Sequence, residues 1–192
     1  MSLKAGFTKS MLLTKFYIRF LTAFILIACN SNPKEELPST INAKVIAIKD
    51  GDTIEILYEG KPVKVRLAHI DCPEIRNSQP FGKAAKQLAS DLCYGQEVQV
   101  LNDGQIDRYG RLIAVIINAN NQNVNKEMLR AGMAWHYKKF SNNNSYANLE
   151  LEARENKRGL WKEGDAVPPW EWRGVKKREA TEKVEKADVL AQ

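Results

Sequence analysis

Five side chains in this sequence have the types and spacing to do chemistry together: Asp52, Arg66, Asp71, Glu74 and Arg111. Asp52 stands in Asp50-Gly51-Asp52-Thr53. Arg66, Asp71 and Glu74 fall in Arg66-Leu67-Ala68-His69-Ile70-Asp71-Cys72-Pro73-Glu74, and Arg111 closes Asp107-Arg108-Tyr109-Gly110-Arg111. Two carboxylates, completed by backbone carbonyls and water, suit a hard cation such as calcium. A further carboxylate can act as general base, and two guanidinium groups match the planar, bidentate geometry of a phosphate. Singly, each residue has a plainer reading. Asp-Gly-Asp is a hairpin turn, Asp71 to Glu74 is the start of a loop, and Arg66 is a strand arginine facing solvent. The chemistry therefore depends on the elements that carry these residues.

Ala43–Lys49 reads as a strand, and Asp50-Gly51 as a hairpin turn in which glycine tolerates positive φ. Asp52–Tyr58 is the return strand, with Ile54, Ile56 and Tyr58 on one face. Lys61–His69 is a third strand, with Val63, Val65 and Leu67 on one face. Pro73 and Pro80 bracket an irregular loop. Helical spacing of Ala84, Ala85, Leu88, Ala89 and Leu92 predicts a helix over Phe81–Tyr94, ended by Gly95. Glu97–Leu101 and Arg111–Ile117 are two further strands. Asn125 reads as the N-cap of a helix over Lys126–Ala131, and Ser145–Arg158 as a third helix. Five strands with a helix after the third match the order of an OB-fold, a small Greek-key barrel of mainly β, α+β class. The catalytic candidates then lie near strand ends and converge at one mouth of the barrel.

The 192 residues suffice for one ordinary domain with extensions. With 44% hydrophobic and 27% charged residues, neither a disordered chain nor a polytopic membrane protein fits. The formal charge is +6, from 29 basic and 23 acidic residues. Residues 1–28 contribute Lys4, Lys9, Lys15 and Arg19 and no acid, so the remainder holds 25 basic against 23 acidic residues, a net +2. Net charge by itself gives no argument for nucleic acid. With only two histidines, His69 and His136, a histidine-based zinc site is unsupported, and carboxylate oxygens are the better metal ligands.

The basic start leads into Phe20 to Ala28, a run too short for the roughly twenty residues that span a bilayer. This is the pattern of a secretory signal. Its end, Leu26-Ile27-Ala28-Cys29, resembles the lipobox of bacterial lipoproteins, in which the cysteine becomes the lipidated first residue; an ordinary signal peptide or an uncleaved anchor is the alternative. The expected organisation is a signal peptide over 1–28, a tether over 29–42, a barrel domain over 43–173 and a Lys/Glu-rich tail over 174–192. The location that follows is the cell envelope, outside the cytoplasm, with a membrane anchor on Cys29. Cys72 and Cys93 remain, and they are expected as packed thiols, although an exported chain permits a disulfide.

The stretches that carry the chemistry resemble the staphylococcal nuclease (thermonuclease) family. They are the Asp-Gly-Asp-Thr of Val45–Thr53, Val65–Glu74, Gln79–Ala85, Asp107–Arg111 and Val124–Ala134, with Arg158-Gly159-Leu160-Trp161 and Pro168-Pro169-Trp170-Glu171-Trp172-Arg173 similar to endings of relatives. The resemblance spans about residues 43–173 and keeps the family order. It implies that Asp52 and Asp71 bind Ca2+. Cys72 stands where the family has a threonine whose backbone carbonyl helps hold the ion. Glu74 would be the general base, and Arg66 and Arg111 the arginines on the scissile phosphate. The implied reaction is hydrolysis of DNA and RNA to 3′-phosphate and 5′-hydroxyl ends. Tyr137, in Trp135-His136-Tyr137, falls near the family's nucleotide-contacting tyrosines and is a substrate-binding candidate, with packing as the alternative. Single-stranded substrates are favoured because a shallow mouth accepts a splayed nucleotide, and a monomer is expected. His69 is expected as a surface or packed residue. Trp170 and Trp172 are expected to pack the C-terminus, with base stacking as the other option.

Two rival functions exist. An OB-fold lipoprotein that binds nucleic acid without cutting it would be free to lose one of the five site residues, yet all five are present. An envelope scaffold would give no reason for two acids, a base and two arginines at these spacings.

Overall fold

Alternating buried and exposed residues build β1 (Thr40–Ile48), with Ile41, Ala43, Val45 and Ile48 turned inward. The computed structural model describes residues 37–190 apart from 77 and 165. The expected signal peptide and Cys29 lie outside the described residues. β1 starts three residues ahead of Ala43, because Thr40 to Lys44 pair with Leu101 to Glu97.

β2 (Thr53–Tyr58) and β3 (Lys61–Leu67) continue the meander. β5 (Glu97–Ile106) and β6 (Leu112–Ile117) complete it, in the closed order β1-β2-β3-β6-β5. The wall is antiparallel except between β3 and β6. Val45, Ile54, Ile56, Val65, Val100 and Ile116 have no exposed surface and fill the interior. With its helices this is the α+β, mainly β OB-fold barrel expected. The helices are α1 (Gly82–Cys93), α2 (Val124–Arg130), α3 (Asn144–Glu155) and α4 (Pro169–Leu190). A 3₁₀ turn spans Gly159–Lys162.

The pairing dictates where the site forms. Thr53 at the start of β2 faces Arg66 near the end of β3. Through the parallel pair, Arg66 faces Ile113, at the start of β6. Residues 52–53, 66 and 111 therefore share one end of the barrel. A small ladder of β4 (Ile70–Asp71) with β7 (Trp135–His136) sets Asp71 beside the same end.

Two local details differ from the sequence expectation, at Gly51 and at the N-cap of α2. Gly51 does not adopt positive φ. Its need is space: a Cβ there would lie 2.8 Å from the Cβ atoms of both Ala85 and Cys72. The N-cap of α2 is Asn123, whose side chain accepts from the Lys126 N–H at 3.0 Å. Asn125 is fully buried and acts as a pin. It accepts from the Ile116 N–H and donates to the Ala68 and Ala114 carbonyls, fastening α2 to the barrel. Finally, the Lys/Glu-rich segment beyond residue 173 continues α4 to Leu190, with Lys176 and Glu179 paired at 2.8 Å one turn apart.

Candidate active site

One guanidinium organises the barrel mouth. Arg66 donates from Nη1 to the carbonyls of Leu67 and Ile70, both at 2.8 Å. Its Nη2 lies 2.8 Å from Asp71 Oδ1 and 3.1 Å from Asp52 Oδ2. The two carboxylates therefore converge on a single nitrogen. Asp52 Oδ2 also accepts the Cys72 N–H at 2.7 Å, and Asp52 Oδ1 accepts the Thr53 hydroxyl at 3.1 Å. These contacts join the hairpin turn to the β4 loop across 20 residues of sequence.

Arg111 reaches the same place from β6. Its Nη1 donates to Thr53 Oγ1 at 3.0 Å. Asp107 holds it from behind, with Oδ2 at 2.8 Å from Nε and 2.7 Å from Nη2. Asp107 Oδ1 accepts the N–H groups of Tyr109 and Arg111, so the same carboxylate folds the turn and aims the arginine. These hydrogen bonds and the Arg111 charge hold the Asp107 carboxyl below its ordinary value, against the opposing effect of desolvation.

Glu74 joins through a residue that the sequence did not flag. Arg173, in the first turn of α4, places Nη2 2.8 Å from Asp71 Oδ2 and pairs Nη1 with Glu74 Oε1. The Gln79 side chain fixes the Glu74 loop by accepting the Glu74 N–H at 2.9 Å. The five candidates thus form one connected set, running Arg111, Thr53, Asp52, Arg66, Asp71, Arg173, Glu74.

Four carboxyl groups, Asp50, Asp52, Asp71 and Glu74, face Arg66 and Arg173. Burial and the neighbouring Asp52 push Asp50 up to about 7. The same two causes raise Asp71 to about 6, opposed by Arg66 and Arg173. Four carboxyl groups against two guanidinium groups, with Asp52 and Asp71 buried, make an environment that added positive charge stabilises. Among the described residues no three Asp, Glu, His or Cys side chains gather into a complete metal cage. Two converging carboxylates with a neighbouring backbone fit a cation that takes its remaining ligands from water, which is the habit of calcium. The Cys72 side chain plays no part in this. It is buried, and its Sγ would lie 3.0 Å from a Cβ on Gly51. Burial pushes its thiol well above the ordinary value. What Cys72 has to offer a cation is its backbone carbonyl. Cys72 and Cys93 are both free and buried.

Tyr137 is half-buried and stacks on Trp170, with centroids 5.6 Å apart and planes 6° apart. His69 is packed: its Nδ1 meets Ser141 Oγ at 2.9 Å, and its ring lies 4.5 Å from that of Tyr146. The same Ser141 hydroxyl meets His136 Nε2 at 2.9 Å, tying the β4–β7 ladder to the following loop.

A small barrel with an arginine-bridged carboxylate pair, a second arginine and a glutamate paired with Arg173 at its mouth defines a phosphodiester hydrolase of the OB-fold type. The model of the staphylococcal nuclease homologues matches residues 64–163. The chain is 40% identical over 137 residues to a protein named uncharacterized endonuclease from Escherichia coli O157:H7, covering 71% of this chain and 88% of that one. It is 42% identical over 135 residues to an uncharacterized endonuclease of Haemophilus influenzae, covering 70% and 74%. A micrococcal nuclease of Shigella flexneri is 38% identical over 144 residues, covering 70% and 81%. The chain belongs to the staphylococcal nuclease family and is an endonuclease.

Proposed function

We propose that this endonuclease depends on calcium, acts on DNA and RNA, and leaves 3′-phosphate and 5′-hydroxyl ends. The connected set from Arg111 to Glu74 carries this reading, because it brings two cation-binding carboxylates, a base and two phosphate-binding arginines within one barrel mouth. Asp52, Asp71 and the backbone carbonyl of Cys72 would hold calcium. When bound, calcium supplies positive charge and a template for the phosphate.

The chain's own residues account for the rest. Arg66 and Arg111 grip the non-bridging oxygens, where negative charge grows as phosphorus becomes pentacoordinate; that growth is why such contacts raise rate. Glu74 takes a proton from water as the water oxygen bonds to phosphorus. The 5′ P–O bond then breaks, and the departing oxygen leaves as a hydroxyl after taking up a proton. Tyr137 contacts the nucleotide, and single strands are the preferred substrate because one nucleotide must splay into the mouth. The N-terminal signal, the lipidated Cys29 and the polar tether place a monomeric enzyme on the outer side of a membrane, where extracytoplasmic nucleic acid is the substrate.

The test is cleavage of heat-denatured DNA and of RNA by the purified chain with calcium, with EGTA, and with Glu74→Gln. Cleavage that requires calcium and is lost in the variant supports the reading. Cleavage that persists in EGTA, or in Glu74→Gln, rejects the metal or the base assignment respectively. Fractionation of cells, with and without Cys29→Ala, tests the anchor.

A further inference from the structure

The first turn of α4 touches the candidate site twice. Trp170 lies face to face with Tyr137, and Arg173, three residues on, bridges Asp71 and Glu74. The i, i+3 spacing puts both side chains on one side of the helix. The approach to α4 is tied to the same loop, since Gln79 accepts the Glu74 N–H and donates to the Val167 carbonyl at 2.8 Å. Pro169 is buried at the start of the helix, whereas residues 177–183 are exposed. Docking is therefore concentrated in the first turn.

Each contact occupies a group that nuclease action needs free. Asp71 has one oxygen on Arg66 and the other on Arg173. A cation held by Asp71 competes with one of them for that oxygen's lone pairs and is repelled by its positive charge. Arg66 is the harder to displace, because it is 12% exposed and anchored on two carbonyls, while Arg173 is 41% exposed and holds only carboxylates. Arg173 also covers Glu74 Oε1, an oxygen that would accept the proton of water. The indole of Trp170 covers a face of Tyr137 as a nucleobase would.

We propose that the first turn of α4 is an intramolecular occupant of the active site, with Arg173 standing in for the cation and Trp170 for a nucleobase, so that divalent cation binds in competition with α4. The proposal rests on the calcium and Tyr137 assignments above. It makes α4 an element that lowers cation affinity until the ion displaces it.

Two measurements on the full chain without nucleic acid test this. In calorimetric calcium titrations, Arg173→Gln should bind calcium about three- to tenfold more tightly than the parent, the modest range reflecting a partly exposed ion pair. Arg173→Lys, which keeps the charge and loses the fork, should fall between. By amide hydrogen exchange, saturating calcium should accelerate residues 168–176 in the parent. Equal or weaker calcium binding by Arg173→Gln overturns the proposal, as does exchange in 168–176 that calcium leaves unchanged. Absence of calcium binding in both chains instead overturns the underlying metal assignment.

Discussion

Replacing Arg66 by lysine separates two jobs done by one guanidinium. Three of its five N–H donors are engaged, on the Leu67 and Ile70 carbonyls and on Asp71, and the same guanidinium forms an ion pair with Asp52. A lysine ammonium concentrates its donors at one point, so it can serve the two carboxylates or the two carbonyls, and not both pairs. Leu67 and Ile70 are each about 1% exposed, so water replaces the lost donors poorly. Hydrogen bonds to charged groups contribute roughly 1.5–3 kcal/mol each, and with partial relaxation the loss of two costs about 2–4 kcal/mol of stability. For a domain of this size that lowers Tm by about 5–15 °C. The catalytic loss is separate. Charged contact with a phosphate whose charge grows in the transition state contributes about 10²–10³-fold. The fall should appear chiefly in kcat, because the contact strengthens after binding. The assay is steady-state cleavage of a single-stranded oligonucleotide well below the lowered Tm, with thermal melting in parallel. A variant that melts with the parent and keeps kcat/KM within about threefold would refute both roles.

Asp107→Asn should lower kcat/KM about 10- to 100-fold while leaving calcium binding intact, because Asp107 aims Arg111 and touches neither candidate ligand; weakened calcium binding measured by calorimetry would contradict this. Gly132→Ala should cost about 2–4 kcal/mol by chemical denaturation. Gly132 sits at φ +67, and a Cβ would lie 2.2 Å from the Arg158 carbonyl oxygen, where α2 meets the 3₁₀ turn. Burial holds His136 below its ordinary value of 6.5, and its Nδ1 has no partner for a proton. The unfolded chain therefore binds more protons than the folded chain between that value and the lower folded one, so this contribution to stability is lost as pH falls through the window. Asp50 and Asp71, raised to about 7 and about 6, act in the opposite sense, since the folded chain takes up their protons first. The histidine effect is isolated by melting His136→Gln beside the parent: the deficit of the variant should narrow between pH 7.5 and pH 5, and a pH-independent deficit would refute it.

Local signals were readable wherever neighbours in sequence decide the outcome. The inward faces of β2 and β3 follow from alternation, and α1 follows from the spacing of its alanines and leucines. The signals failed where a partner distant in sequence decides. Asn125 looked like a helix cap, but its amide is worth more to buried β6 backbone, and Asn123 caps instead. Gly51 looked like a positive-φ residue, but α1 and Cys72 crowd the turn. β4 and β7 are two residues each, too short to show periodicity, and they exist because they pair.

The site divides in the same way. Residue type and order, taken with the resemblance to the staphylococcal nuclease family, designated Asp52, Arg66, Asp71, Glu74 and Arg111. Their convergence depends on the register of β2 with β3 and the parallel pairing of β3 with β6. Arg173 could be found only in three dimensions. It lies 99 residues from Glu74 and 102 from Asp71, at the end of the Pro168–Arg173 stretch and just ahead of the charged tail. An ion pair between segments so far apart leaves no periodic trace in either one, and its formation depends on how the completed barrel seats the last helix.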